Sequence, residues 1–147
     1  MSRGFLLDTN VLSELMREQP AAAVLDWFSQ NTGVSMQTSS ITQAEILTGI
    51  ALLPNSKRRT ALAAAAEQMF EEDFAGLCLP FDAAAAKTYA VIVANCTQQG
   101  QPISTEDAQI AAIALAAGLT VVTRNIKDFD NLDGLPLVNP WQDATSH

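Results

Sequence analysis

The chain has 147 residues, enough for one domain with its own core, and hydrophobic residues make up 48% against only 16% charged, which excludes a disordered chain. That apolar surplus predicts surface covered by a partner, in a homo-oligomer or a protein complex. The formal net charge of −8 argues against a broad basic face for gripping nucleic acid, an argument that weakens if several of the carboxylates hold metal ions. The single histidine, His147, is the last residue, so Ser-His-Asp and Cys-His catalysis and histidine-based zinc sites drop out as well.

Cys78 and Cys96 sit in apolar segments without metal-ligand spacing, and the N-terminus lacks the apolar run of a signal peptide, so a reducing cytoplasm is expected. No window approaches the roughly 18 consecutive apolar residues of a membrane span.

In chain order, Gly4-Phe5-Leu6-Leu7 reads as a buried strand that ends at Asp8. A helix then carries Val11, Leu12, Leu15 and Met16, and Pro20 opens a second helical segment with Val24, Leu25 and Phe28. The stretch 33–38 predicts a second strand, leading into a helix from about Thr42 to Leu52. Pro54 starts a long helix with Leu62, Ala65, Ala66, Met69 and Phe70 on one side. Leu77-Cys78-Leu79 is a brief strand, and Asp82 caps an Ala-rich helix that runs toward Gly100. Ser104 opens a helix to Gly118, after which Leu119-Thr120-Val121-Val122 is a fully apolar strand and Leu137-Val138 a last short one. Strands alternating with helices, and strands that are apolar on both faces, predict a three-layer α/β/α domain with a mostly parallel central sheet, one domain over residues 1–147.

In such sheets ligands bind beyond the carboxyl ends of the strands. Asp8 meets that rule directly, and Asn125 and Asp128 follow the 119–122 strand in the same way. Glu45 and Asp107 are expected in the first turns of helices. Capping offers an ordinary explanation for each: Thr42-Gln43-Ala44-Glu45 and Ser104-Thr105-Glu106-Asp107 both have capping-box spacing, Asp8 or Thr9 can be an N-cap, and Asp128 can cap a short turn at 128–131. Together, however, carboxylates brought to about 4 Å would repel by about 4 kcal/mol per pair at an effective dielectric of 20. Few Lys or Arg residues lie near them in sequence, so a hard divalent cation, Mg²⁺ or Mn²⁺, is the expected counter-charge.

Four segments, Leu7-Asp8-Thr9-Asn10-Val11-Leu12, Glu45 within Thr42-Gln43-Ala44-Glu45-Ile46, Asp107-Ala108-Gln109-Ile110-Ala111-Ala112, and Thr123-Arg124-Asn125-Ile126-Lys127-Asp128-Phe129, resemble the motifs of PIN-domain toxins of the VapC and FitB type. The resemblance runs from about residue 5 to residue 141 and ends in Pro140-Trp141. It implies a PIN-like fold and a metal-dependent endoribonuclease of a type II toxin–antitoxin pair. Such a protein acts on RNA, is silenced by its cognate antitoxin protein, and forms a homodimer. On that pattern Asp8, Glu45 and Asp107 correspond to the three acidic metal ligands and the catalytic set, with Thr9 and Asn10 as polar neighbours. Many relatives carry an aspartate directly after the Thr-Arg pair; here Asn125 stands there, and both Asn125 and Asp128 are candidates for the fourth position.

The cluster Lys57-Arg58-Arg59 and Arg124 are the candidate RNA contacts, with ordinary solvated surface as the alternative. Two rival readings are separable. A haloacid-dehalogenase-like phosphatase would use Asp8 as nucleophile and an aspartate two residues later, where this chain has Asn10; a phosphoaspartate would mark it. A non-catalytic PIN-like interaction module would show no metal-dependent stabilisation.

Overall fold

The computed structural model describes residues 4–142; His147 lies outside them. Its sheet has five strands, β1 (Phe5–Leu7), β2 (Met36–Ser39), β3 (Cys78–Leu79), β4 (Thr120–Val122) and β5 (Leu137–Val138), in the order β3-β2-β1-β4-β5. Every pairing is parallel, with Leu6 opposite Val121 and Leu7 opposite Val122 in the central pair. Six α-helices connect and cover the strands: α1 (Thr9–Leu15), α2 (Ala22–Gln30), α3 (Ser40–Ala51), α4 (Lys57–Gln68), α5 (Ala83–Gln98) and α6 (Thr105–Ala117).

Because side chains alternate along a strand, neighbouring residues of the central strands serve opposite layers. Leu6 and Val121 pack with α5, α6 and Phe129, while Leu7 and Val122 pack with Val11, Leu12, Trp27, Ile46 and Ile50 on the other side. This two-sided burial explains why β1 and β4 read as continuous apolar runs. Chain direction then places the loops. A helix that precedes a parallel strand runs antiparallel to it, so the N-terminus of α6 lies at the end of the sheet where β1 and β4 finish. The strand order reverses between β1 and β4, which makes the space beyond their carboxyl ends the switch point of the sheet.

Several boundaries differ from the sequence expectation. Strand β2 is shifted to 36–39, and α3 begins at Ser40 because the Ser39 hydroxyl accepts the Thr42 N–H at 3.1 Å. Thr42 is therefore inside the helix, the expected capping box at 42–45 does not form, and Glu45 lies in the second turn. Helix α4 starts at Lys57 under a Ser56 cap, three residues after Pro54, where the sequence predicted its start. It ends in a five-residue π turn at Met69–Asp73, where the Phe74 N–H bonds Met69 O at 3.0 Å; the wider turn brings Met69, Phe70 and Phe74 into the core. The turn expected at 128–131 is a 3₁₀ turn at Ile126–Asp128, with Asp128 as its last residue and not its cap.

Of the five described glycines at positive φ, two bear directly on the central strands. Gly118 ends α6 at φ 70°, with Leu119 N bonding Ala114 O at 2.9 Å. Gly4, at φ 145°, precedes β1 so closely against β2 that a Cβ would lie 2.7 Å from Ser35 O. No helix among the described residues is long and apolar enough to cross a membrane.

Candidate active site

Asp8 leaves β1 as the N-cap of α1 and is 5% exposed. Its Oδ1 accepts the Thr9 N–H at 2.8 Å, and its Oδ2 accepts the Thr123 hydroxyl at 2.8 Å and the Asn10 amide at 3.2 Å. Three donors leave one of the carboxylate's roughly four acceptor positions. Burial raises the Asp8 pKa above 3.8, against these hydrogen bonds, and the charge of Asp128 raises it further.

Asn10 and Thr123 connect the ends of β1 and β4. The Asn10 Nδ2 lies 3.2 Å from Thr123 Oγ1, and its Oδ1 accepts the Arg124 N–H at 3.0 Å. The Asn125 N–H donates to Thr123 Oγ1 at 3.0 Å. Thr123 is fully buried and organises Asp8, Asn10 and Asn125 at once, a role not assigned from the sequence. The available signal was register: Leu7 pairs with Val122, so the next residue of each strand, Asp8 and Thr123, must be neighbours.

Glu45 reaches the same region from α3. Thr9 Oγ1 donates to Glu45 Oε1 at 2.7 Å and lies 3.2 Å from the buried Thr42 Oγ1. Asp107 arrives from the first turn of α6, where Ser104 Oγ accepts its N–H at 3.1 Å, so the Ser104 cap forms as expected. The Asp107 carboxyl is pushed up to about 6, first by burial and then by the charges of Asp8, Asp128 and Glu45, with the Ser104 bond acting in the other direction. Asp128 thus joins the acidic group electrostatically, whereas Asn125 supplies an exposed amide anchored by its backbone.

These groups fit a hard divalent cation in their chemistry, since all offered donors are oxygens. Among the described residues no three Asp, Glu, Cys or His side chains are placed to hold an ion as they stand. The four carboxylates share one end of the sheet, where the charges of Asp8, Asp128 and Glu45 all reach Asp107, but Glu45 is drawn to Thr9. The only ion pair found among the described residues, Arg17–Glu14 at 3.3 Å, lies outside this group.

Glu14 was also missed by sequence reasoning. It is buried on α1 and accepts the Ala21 N–H at 2.8 Å, closing the turn into α2. That bond and Arg17 hold its carboxyl below 4.5, and Arg124 adds to the effect. The Arg124 guanidinium sits over the Trp141 ring, 4.8 Å from its centroid, so this candidate RNA contact already has a partner within the chain. Lys57, Arg58 and Arg59 occupy the first turn of α4, at the positive end of the helix dipole, where each cation costs about 0.3–1 kcal/mol. Lys57 and Arg58 line a groove of about 1200 Å³ that reaches Thr9 along Ile46, Ile50 and Leu62.

The family model for the PIN domain matches residues 5–135. The chain belongs to the PIN-domain family. This PIN domain is 40% identical to the VapC ribonuclease Y4jK of Sinorhizobium fredii over 95% of its length and 99% of the relative's. It is 41% identical to Toxin FitB of Neisseria gonorrhoeae, covering 94% and 99% of the two chains. Its fold matches the crystal structure of FitAcB from Neisseria gonorrhoeae with a TM-score of 0.84 at 39% identity, over 94% of this chain and 99% of that one. Membership of this family replaces the dehalogenase-like alternative, and Asn10, in the place where that enzyme needs an acid, serves here to hold Asp8 and the Arg124 backbone.

Proposed function

We propose that this PIN domain is a divalent-metal-dependent endoribonuclease, the toxin of a type II toxin–antitoxin pair, with Mg²⁺ or Mn²⁺ as its ion. The observation that carries the reading is the arrival of Asp8, Glu45, Asp107 and Asp128 from four separate segments at the switch point of a PIN sheet. The similarity to a VapC ribonuclease and to a FitB toxin over nearly whole chains supports the same conclusion.

Asp8, Glu45 and Asp107 would hold the ion, with Asn125 or Asp128 at the fourth position. A bound divalent cation supplies a lowered water pKa and charge stabilisation at the scissile phosphate. The chain's own residues prepare that site. Thr123 and Asn10 orient the Asp8 carboxylate, Thr9 orients Glu45, and the Ser104 cap fixes the backbone of Asp107. In the hydrolysis, the water oxygen bonds phosphorus, the bond from phosphorus to the 3′ oxygen breaks, and a proton passes to that oxygen. The products carry 5′-phosphate and 3′-hydroxyl ends.

The RNA backbone would approach along the groove from Thr9 toward Lys57 and Arg58 with Arg59 nearby, cations that oppose the dipole of their own helix. A cognate antitoxin covering this groove would silence the enzyme, and a homodimer would cover part of the remaining apolar surface, at the exposed Leu52 or at the exposed Val91. A cytoplasmic location follows from that role.

The test is cleavage of a mixed RNA pool, including structured transfer RNAs, by partner-free protein with Mg²⁺ or Mn²⁺, beside EDTA and Asp8→Asn controls. Discrete metal-dependent cuts with 5′-phosphate ends are expected. Cyclic phosphate ends would refute the mechanism. Intact RNA with folded, metal-loaded protein would favour a non-catalytic interaction module.

A further inference from the structure

Beside the acidic group lies a second, smaller cleft of about 410 Å³, within the range of about 300–1000 Å³ typical of small-ligand sites. Asp107 and Asp128 form the wall that it shares with the acidic group. Its remaining wall comes from the loop between α5 and α6, with Gln101, Ile103 and Ser104, and from the segment after β4, with Lys127, Asp130 and Asn131. The two loops are tied together by one bond, Asn131 Nδ2 donating to Gln101 Oε1 at 2.7 Å.

The chemistry of this lining selects among ligands. Asp107 and Asp128 belong to the acidic group, and the remaining Asp130 and Lys127 balance one another, so nothing in the cleft itself attracts a phosphate. A neutral, flat, polar group suits it better. The Gln101–Asn131 bond consumes one acceptor and one donor, which leaves the Gln101 NH₂ as a donor and the Asn131 carbonyl as an acceptor. A donor beside an acceptor is the complement of a nucleobase edge, and the partly buried Ile103 adds an apolar surface for its face.

We infer that this cleft is the subsite for the nucleobase adjoining the scissile phosphate, read by the Gln101 and Asn131 amides. The inference rests on the proposed ribonuclease activity, since it places the phosphate at the carboxylates and the neighbouring base beyond Asp107. Gln101 and Asn131 are specificity residues here, and neither belongs to the acidic group.

Two measurements on the full chain separate this inference from the activity itself. The first is the base preference at each position flanking the cuts in a randomised single-stranded RNA pool. The second is an amide NMR titration with each of the four 5′-nucleoside monophosphates in Mg²⁺. Gln101→Glu keeps the acceptor for Asn131 and replaces the free donor with an acceptor, so it should switch the preferred base at one flanking position while cuts continue. The double variant Gln101→Ala with Asn131→Ala should lose that preference and weaken nucleotide binding about tenfold, the scale of one or two lost hydrogen bonds. Wild-type shifts should concentrate at residues 101–104 and 130–131. Unchanged base preference in both variants, or nucleotide shifts that avoid the cleft, would overturn the inference and leave the nuclease standing. Nucleotide shifts confined to the cleft in a protein that cuts no RNA would uphold the cleft as a nucleotide site and remove the ribonuclease reading.

Discussion

Asp107→Asn is expected to stabilise the metal-free protein while destroying its activity. The Asp107 carboxyl is raised from 3.8 to about 6 by burial and by three neighbouring carboxylates. Between those values the folded chain keeps a proton that the unfolded chain has released. The stability from this group is therefore complete below pH 3.8 and is lost as pH rises through about 6. At about 1.4 kcal/mol per tenfold change in proton affinity, the full displacement corresponds to about 3 kcal/mol. Asp107 is only partly buried, and solvent screening reduces this to about 1–2 kcal/mol. Asparagine removes the repulsion but also removes a negative charge from the first turn of α6, worth about 0.3–1 kcal/mol. The net gain is about 1 kcal/mol, or a melting temperature about 2–4 °C higher in EDTA at pH 8 for a chain of this size. The assay is thermal unfolding of both proteins in EDTA at pH 5 and pH 8, repeated with Mn²⁺ at pH 8. The advantage should shrink at pH 5 and reverse with Mn²⁺, because an ion bound only by the folded wild type stabilises it by mass action. A variant less stable than wild type in EDTA at pH 8, or a difference identical at both pH values, would refute the reasoning.

Thr123→Val preserves shape but takes one donor from Asp8 Oδ2 and an acceptor from the Asn125 N–H, at an expected cost of about 1–3 kcal/mol in denaturant unfolding; it should also raise the Mn²⁺ concentration needed for half-maximal stabilisation. Gly4→Ala forces a Cβ against Ser35 O at φ 145°, and a loss of about 1–3 kcal/mol is expected, with an unchanged melting temperature as the contrary result. Glu14 carries a lowered pKa, so its contribution is present above pH 4.5 and is lost as pH falls through the folded value. Stability of Glu14→Gln should therefore decline less steeply below pH 4.5 than that of wild type.

The positions of Asp8 and Asp107 were legible because local rules suffice for them. An apolar strand stops at the first, and a serine three residues earlier caps the helix that begins beside the second. Gly118 was readable for the same reason, as the left-handed end of an apolar helix. Glu45 was placed one turn too early, because Thr42 and Ser39 are both competent caps and the strand β2, held by pairing to β1 and β3, decides between them. Thr123 and Glu14 were not legible as key residues, since their partners lie 115 residues away in one case and across a chain reversal in the other. The stacking of Arg124 on Trp141 likewise exists only after β5 has brought the chain back beside β4.

The order of the strands decides when the acidic group can first exist. The two central strands are separated by more than a hundred residues, and the last acidic contributor, Asp128, follows the later of them. A nascent chain therefore cannot assemble the group until nearly all of it has left the ribosome, and long-range pairing of this kind is slow to form. Any cut between α1 and α6 leaves fragments that each hold only part of the set. Competence of the site is thus all-or-none with completion of the sheet, and the fold itself delays its appearance to the end of synthesis.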